Sequence, residues 1–230
     1  MNPTLIGDEG CHNYGYVDTS ANAINNLKRF DVIITYYNKW TNPDPEDPSY
    51  EDTSYKVKRV WGFPGETITL TCIEEVDPET TTVSKYFNYK AVKNDKVVCD
   101  ITSEPAIEKE FNISSLKKKE KMLVCRFTYG NKHFYINAKT DNTGVPRHFE
   151  DLVLDKKTKT VEGSKDEYFV MGDNWQNSAD SYRYVVKDHK ANLDKSELQG
   201  RVVCIQGVTK YDSVKKETYD QVRLTPRYNF

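Results

Sequence analysis

Helical periodicity is almost absent from this sequence, and that absence constrains the fold more than any other feature. Apolar and polar residues alternate instead in short runs: Asp31 to Tyr37, Tyr55 to Val60, Glu66 to Cys72, Lys96 to Ile101, Met122 to Phe127 and Gly200 to Gly207. β-Branched and aromatic residues fill these runs and Gly, Pro, Asn or Asp bounds each, the pattern of strands in a half-buried sheet. Ser115 to Glu120 is too short and too charged for a core helix, and Lys190 to Leu198 offers at most a short turn. A mainly β chain is expected.

At 230 residues there is enough chain to bury a sizeable core. Acids and bases nearly cancel, to a formal net charge of -2, so no broad footprint for nucleic acid exists and no nucleic-acid partner is expected. The local cluster Lys117, Lys118, Lys119 and Lys121 reads as a solvated turn. The 5 cysteines (Cys11, Cys72, Cys99, Cys125 and Cys204) are widely spaced, with no C-x-x-C pair and no histidine at a ligand interval. Neither a metal nor a cofactor is expected. Cys72, Cys125 and Cys204 sit in apolar runs, where cysteine behaves as a small hydrophobe. His12, His133, His148 and His189 are scattered among polar residues, and none has the setting of a catalytic base. No stretch reaches the roughly 20 apolar residues of a membrane helix, and the first residues lack the pattern of a signal peptide.

The stretch "NKWTNPDPEDPSYEDTS", with its prolines and acids, predicts an exposed loop between two strands. From about Asp77 to Asp166 the composition shifts towards Lys, Thr and Asn, with repeated short strands. This segment, 77–166, is expected to be a smaller β lobe inserted into a β core made of 1–76 and 167–230. Asn112-Ile-Ser114 is a lone glycosylation triplet.

Two stretches have the composition of a site. In "YKVKRVWGFPGE" the alternation of a strand puts Lys56 and Lys58 on one face and Tyr55, Val57 and Arg59 on the other. Lys58 sits where the strand runs into Trp61 and a Gly-Phe-Pro-Gly turn; the stretch fits an edge-strand lysine equally well. In "YFVMGDNWQNSADSYRY" an apolar strand ends at Met171 and breaks into Gly172-Asp173-Asn174, followed by Asn177, Ser178, Asp180 and Ser181. Short polar side chains of this kind brace a loop through backbone hydrogen bonds, and they can also present a hydroxyl to an ammonium group.

Taken with "MNPTL" and "RFDVIITYY", the segments "KRVWGFPGE" and "GDNWQNSADS" resemble, in order and spacing, the sequence boxes of type I signal peptidases. These are membrane-anchored serine proteases that remove signal peptides from exported proteins. "LQGRVVCIQG" is similar to the family's last core strand. The resemblance implies a signal-peptidase-like β core and a Ser-Lys dyad, in which a neutral lysine amine takes the proton of the attacking serine. Matched residue by residue, Lys58 is the general base, Ser178 the hydroxyl that orients its amine, and Asp173, Asn174 and Asp180 the braces of the loop. Lysine's ordinary pKa is about 10.4, and burial lowers it by as much as about 3 to 5 units.

Three departures from the family pattern stand out. Trp175 and Tyr182 occupy places where relatives commonly carry arginine. Arg183 comes one position late, so an Asp180–Arg183 pair requires a one-residue bulge. The family's nucleophile is the serine directly before Met-x-Pro-Thr-Leu, which falls immediately upstream of Met1, together with a second serine and the membrane anchor. A misplaced start or a truncation is the more economical account, since a pseudoenzyme would have little reason to keep Lys58 and Ser178.

By the same resemblance the substrate is a preprotein signal peptide with an Ala-x-Ala-like cleavage site, bound as an added β-strand. Tyr55 and Val57, with Met1 and Pro3 near the nucleophile, match its contact positions; ordinary core packing is the bland alternative for Tyr55 and Val57. The implied location is the bacterial cytoplasmic membrane, with the catalytic domain on its extracytoplasmic side. Two other functions stay open: a self-cleaving Ser-Lys regulator of the repressor type, and an inactive module that binds signal-peptide-like strands. The first lacks support from any DNA-binding helical segment.

Overall fold

The computed structural model describes residues 12–36, 55–113, 118–138, 148–158, 165–175, 178, 180–182, 192–212 and 217–222. In chain order the elements are β1 (His12–Asp18), α1 (Ala21–Asn25), β2 (Val32–Tyr36), β3 (Tyr55–Gly62), β4 (Thr67–Val76), β5 (Val83–Lys93) and β6 (Lys96–Thr102). They continue with β7 (Ile107–Ile113), β8 (Lys118–Tyr129), β9 (Lys132–Ala138), β10 (Phe149–Val153), β11 (Glu167–Met171), β12 (Leu193–Asp194), β13 (Leu198–Asp212) and β14 (Glu217–Val222). The chain is mainly β, as its alternation predicts. The short turn expected near Lys190 to Leu198 is a 3-10 turn at Lys195–Glu197, closed by a capping box between Asp194 and Glu197. Among the described residues no helix is long and apolar enough to cross a membrane.

One expectation is corrected. Lys118, Lys119 and Lys121 lie within β8, paired with Ile113, Asn112 and Glu110 of β7, rather than in a turn. Strand pairing is made by the backbone, so charge density alone does not mark a turn; Lys117 lies outside the described residues.

The strands form three antiparallel sheets. The largest runs β1-β13-β2-β3-β11-β12 with β14 also on β13; a second runs β10-β4-β5-β6, and a third β7-β8-β9. β11 shows why its sequence is apolar from Tyr168 to Met171. Phe169 and Met171 point into an aromatic cluster that also holds Trp61, Phe87, Phe127 and Trp175, whereas Tyr168 and Val170 join Ile33, Val60 and Leu198 in a second cluster. A stretch buried on both faces, as Tyr168 to Met171 is, favours an apolar residue at every position.

The segment before β2 ties the sheets together. Phe30 is fully buried in the left-handed region, at φ 64°, a conformation that costs on the order of 1 kcal/mol or more. Its N–H donates to the Val60 carbonyl (2.8 Å), and its ring packs edge-on against Trp61 (5.1 Å between centroids), Tyr89 (5.8 Å) and Tyr129 (5.2 Å). Those rings come from all three sheets, so the strained residue is held by core contacts worth more than the strain. Beside it, buried Arg29 donates to Glu66 (2.7 Å) and to the Tyr89 hydroxyl (2.9 Å). Glu66 in turn accepts the Phe63 N–H (2.9 Å), closing the turn that follows β3, where Gly65 adopts φ 77°. The strand carrying Lys58 is thus fixed at its far end.

Candidate active site

β3 is an inner strand, flanked by β2 and β11. Its exposure changes along its length: Tyr55 is 66% exposed and Val57 41%, whereas Lys58 is 6% and Arg59 4% exposed. The edge-strand reading of Lys58 therefore fails, and so does core packing for Tyr55 and Val57. β11 pairs β3 over Arg59 to Gly62, with Met171 opposite Arg59. The chain that breaks away at Gly172 consequently starts beside Lys58.

The break brings Ser178 back over the strand end. Lys58 Nζ donates to Ser178 Oγ at 2.8 Å across 120 residues of sequence, and the Gly172 N–H donates to the same oxygen at 3.2 Å. The Ser178 N–H donates to the Asn174 carbonyl (2.9 Å), closing a tight loop. Gly172 has no room for a side chain: a Cβ there would lie 2.3 Å from Ser178 Oγ and 3.6 Å from Lys58 Nζ. Only glycine allows the hydroxyl, the amine and the loop backbone to meet.

Asp173, Asn174, Asp180 and Ser181 surround this contact. Asp180 is fully buried and accepts the Gly172 N–H at 3.4 Å. The neighbouring Ser181 hydroxyl accepts the Val170 N–H (3.1 Å), pinning the loop to β11. Asp173 is 4% exposed and takes two hydrogen bonds from Arg59, Nε to Oδ1 at 2.8 Å and a terminal nitrogen to Oδ2 at 2.6 Å. The remaining Arg59 nitrogen donates to the Phe30 carbonyl (2.8 Å), and the guanidinium lies 4.5 Å from the Phe134 ring centre. This bidentate, stacked arginine matches what the guanidinium does best. Trp175, where relatives commonly carry arginine, is instead 1% exposed in the aromatic cluster, with its ring 5.8 Å from that of Trp61. Met1, Pro3, Arg183 and the acidic loop at 37–54 lie outside the described residues.

Two participants escaped the sequence reading. Strand parity gives Arg59 only a face, and with Lys56 and Lys58 in the same strand nothing local singles it out as the one with a buried acidic partner. Asn137 of β9 forms a parallel bridge with Asn174, and nothing in its local sequence distinguishes it. Among the described cysteine side chains, Cys72, Cys99 and Cys125 play no part in this site. Burial pushes the thiols of Cys99 and Cys125 up to about 11 and about 12, so neither is a ready thiolate at neutral pH.

A buried amine held against a hydroxyl, on a loop locked by a carboxylate–guanidinium pair, suits proton transfer to and from a reacting group. No curated protein matches the sequence. The family described as signal peptidase, peptidase S26, does match, over residues 1–206. That span takes in β3, β11 and the loop at 172–182 that together build the site, and the chain belongs to the S26 signal peptidase family.

Proposed function

We propose that the intact protein is a signal peptidase I that cleaves preproteins with a Ser-Lys dyad. Family membership makes it a signal-peptidase-like protein of the serine peptidase class, with signal-peptide-bearing substrates. The dyad assignment goes further and is carried by one observation, the 2.8 Å hydrogen bond from Lys58 Nζ to Ser178 Oγ in a site where Lys58 is 6% exposed. In this reading the nucleophile is a serine directly before Met1. Lys58 in its neutral form takes the proton from that hydroxyl as the oxygen attacks the scissile carbonyl. It then returns the proton to the leaving amine, and the acyl-enzyme is hydrolysed by water activated in the same way.

Burial disfavours the charged form of a lysine, which is the direction a general base requires. Ser178 fixes where the amine points, and Asp173, Asn174 and Asp180 fix Ser178. The substrate strand adds beside the start of β3, before the stretch that β11 covers, where Tyr55 and Val57 are exposed, and the small residues one and three positions before the scissile bond in an Ala-x-Ala-like site lie against them. Met1 and Pro3 complete the contact next to the nucleophile. We place the catalytic domain, with segment 77–166 as an inserted lobe, on the outer face of a bacterial cytoplasmic membrane, held by an anchor ahead of Met1.

The test is cleavage of a preprotein by the protein carrying its native sequence ahead of Met1, with products identified by mass. Scission directly after Ala-x-Ala is expected; no scission of any signal peptide would reject the reading. In the same assay Gly172→Ala is expected to fold, yet to lose about a hundredfold in kcat, because its Cβ displaces the Ser178 hydroxyl. Wild-type kcat in that variant would show that the hydroxyl's position is unimportant.

A further inference from the structure

We propose that Asn137 is a positioning residue for the dyad, and that the three-stranded sheet β7-β8-β9 is through it a working part of the active site. The inference rests on the Lys58–Ser178 reading. Near the end of β9 the Asn137 N–H donates to the Asp173 carbonyl, and its carbonyl accepts the Trp175 N–H, both at 2.8 Å. These two bonds bracket Asn174 in a parallel bridge. The Asn137 side chain adds a third, from Nδ2 to Asn174 Oδ1 at 3.1 Å. Asn174 then holds the Ser178 N–H through its own carbonyl (2.9 Å), and the Ser178 hydroxyl holds Lys58.

The side chain's chemistry points the same way. Asn137 is fully buried and stands opposite Val124 of β8, a place an apolar residue would fill at lower desolvation cost. Strand pairing uses only its backbone; the amide is needed to reach Asn174. β9 meets the same loop at a second point, because Phe134 lies under the Arg59 guanidinium that grips Asp173. A loop whose serine must be placed to within tenths of an ångström is thereby braced by a sheet that contributes no reacting group.

The experiment uses the protein with its native sequence ahead of Met1, a preprotein substrate, and the variants Asn137→Ala, Asn174→Ala, Ile136→Val and Lys58→Ala. Asn137→Ala is expected to lower kcat by about tenfold or more with KM within about twofold. Amide hydrogen exchange at 172–175 and at Ser178 should accelerate while that of β4 and β5 stays unchanged. Asn174→Ala removes the other half of the same side-chain bond and should reproduce the split; it decides the matter if Asn137→Ala does not fold. Ile136→Val trims the neighbouring core residue of β9 and should keep kcat. Unchanged kcat in both asparagine variants, unchanged loop exchange, or an equal loss in Ile136→Val would overturn the proposal. An inactive Lys58→Ala beside a fully active Asn137→Ala rejects this inference alone, whereas an active Lys58→Ala rejects the dyad beneath it.

Discussion

Lys58→Ala, in the protein carrying its native sequence ahead of Met1, loses signal-peptide cleavage by about a thousandfold or more while remaining folded. A positioned general base contributes about 10²–10⁴-fold on its own, and in a dyad no second base stands in. The fold is expected to survive because β3 is held to β2 and β11 by backbone pairing and its far end by Arg29 and Glu66, none of which uses the Lys58 amine. Lys58→Met, of similar shape, is therefore expected to fold and to be as inactive as Lys58→Ala. Lys58→Arg separates charge from basicity: a guanidinium stays protonated at any accessible pH, so it keeps the positive charge and is still inactive. Rates of peptide cleavage followed by chromatography, with thermal unfolding alongside, check all three. Activity in Lys58→Arg would mean that the site needs a cation rather than a base.

The largest stability effect falls at Arg59 and Asp173. Both are about 4% exposed and are joined by two hydrogen bonds. Removing one partner of such a pair leaves an uncompensated buried charge and costs about 3 to 5 kcal/mol. Asp173→Ala and Arg59→Ala are each expected to lose that much in urea unfolding, with Arg59→Ala also forfeiting its bond to the Phe30 carbonyl and its stacking on Phe134. The double variant should be less destabilised than the sum of the singles, because neither charge is then stranded. An exposed pair behaves differently. Lys85–Glu74 joins side chains that are 29% and 50% exposed, a setting worth about 0 to 1 kcal/mol. A loss of under about 1 kcal/mol on breaking Arg59–Asp173 would put it in that class and remove the main brace of the site loop.

How much of this was legible in the sequence depended on the kind of regularity each part possesses. β2, β3, β4, β6, β8 and β13 contain runs with a visible strand pattern, and each run forms its strand. β5, with the sequence VSKYFNYKAVK, was not seen. Phe87, Tyr89 and Ala91 are buried on one parity, but Lys85 and Lys93 share that parity and break the alternation. α1 is only five residues long and owes its place to the Ser20 cap, which accepts the Ala23 N–H, rather than to any helical stripe. Lys58 and Ser178 were reached through the family boxes, and the strand parity of Lys58 was readable without them. The bond between Arg59 and Asp173 was not, since its ends are separated by 114 residues and only strand pairing brings them together. Asn137 was still further out of reach, because two of its links to the loop are backbone bonds that no residue type signals.

The central claim is that Lys58 serves a serine at the place directly before Met1. Mass spectrometry of the native protein's peptide spanning that position tests it most directly. The account predicts a serine immediately preceding Met1. A different residue at that place, or a native chain whose first residue is Met1, would contradict it and leave Lys58 and Ser178 without a nucleophile to activate.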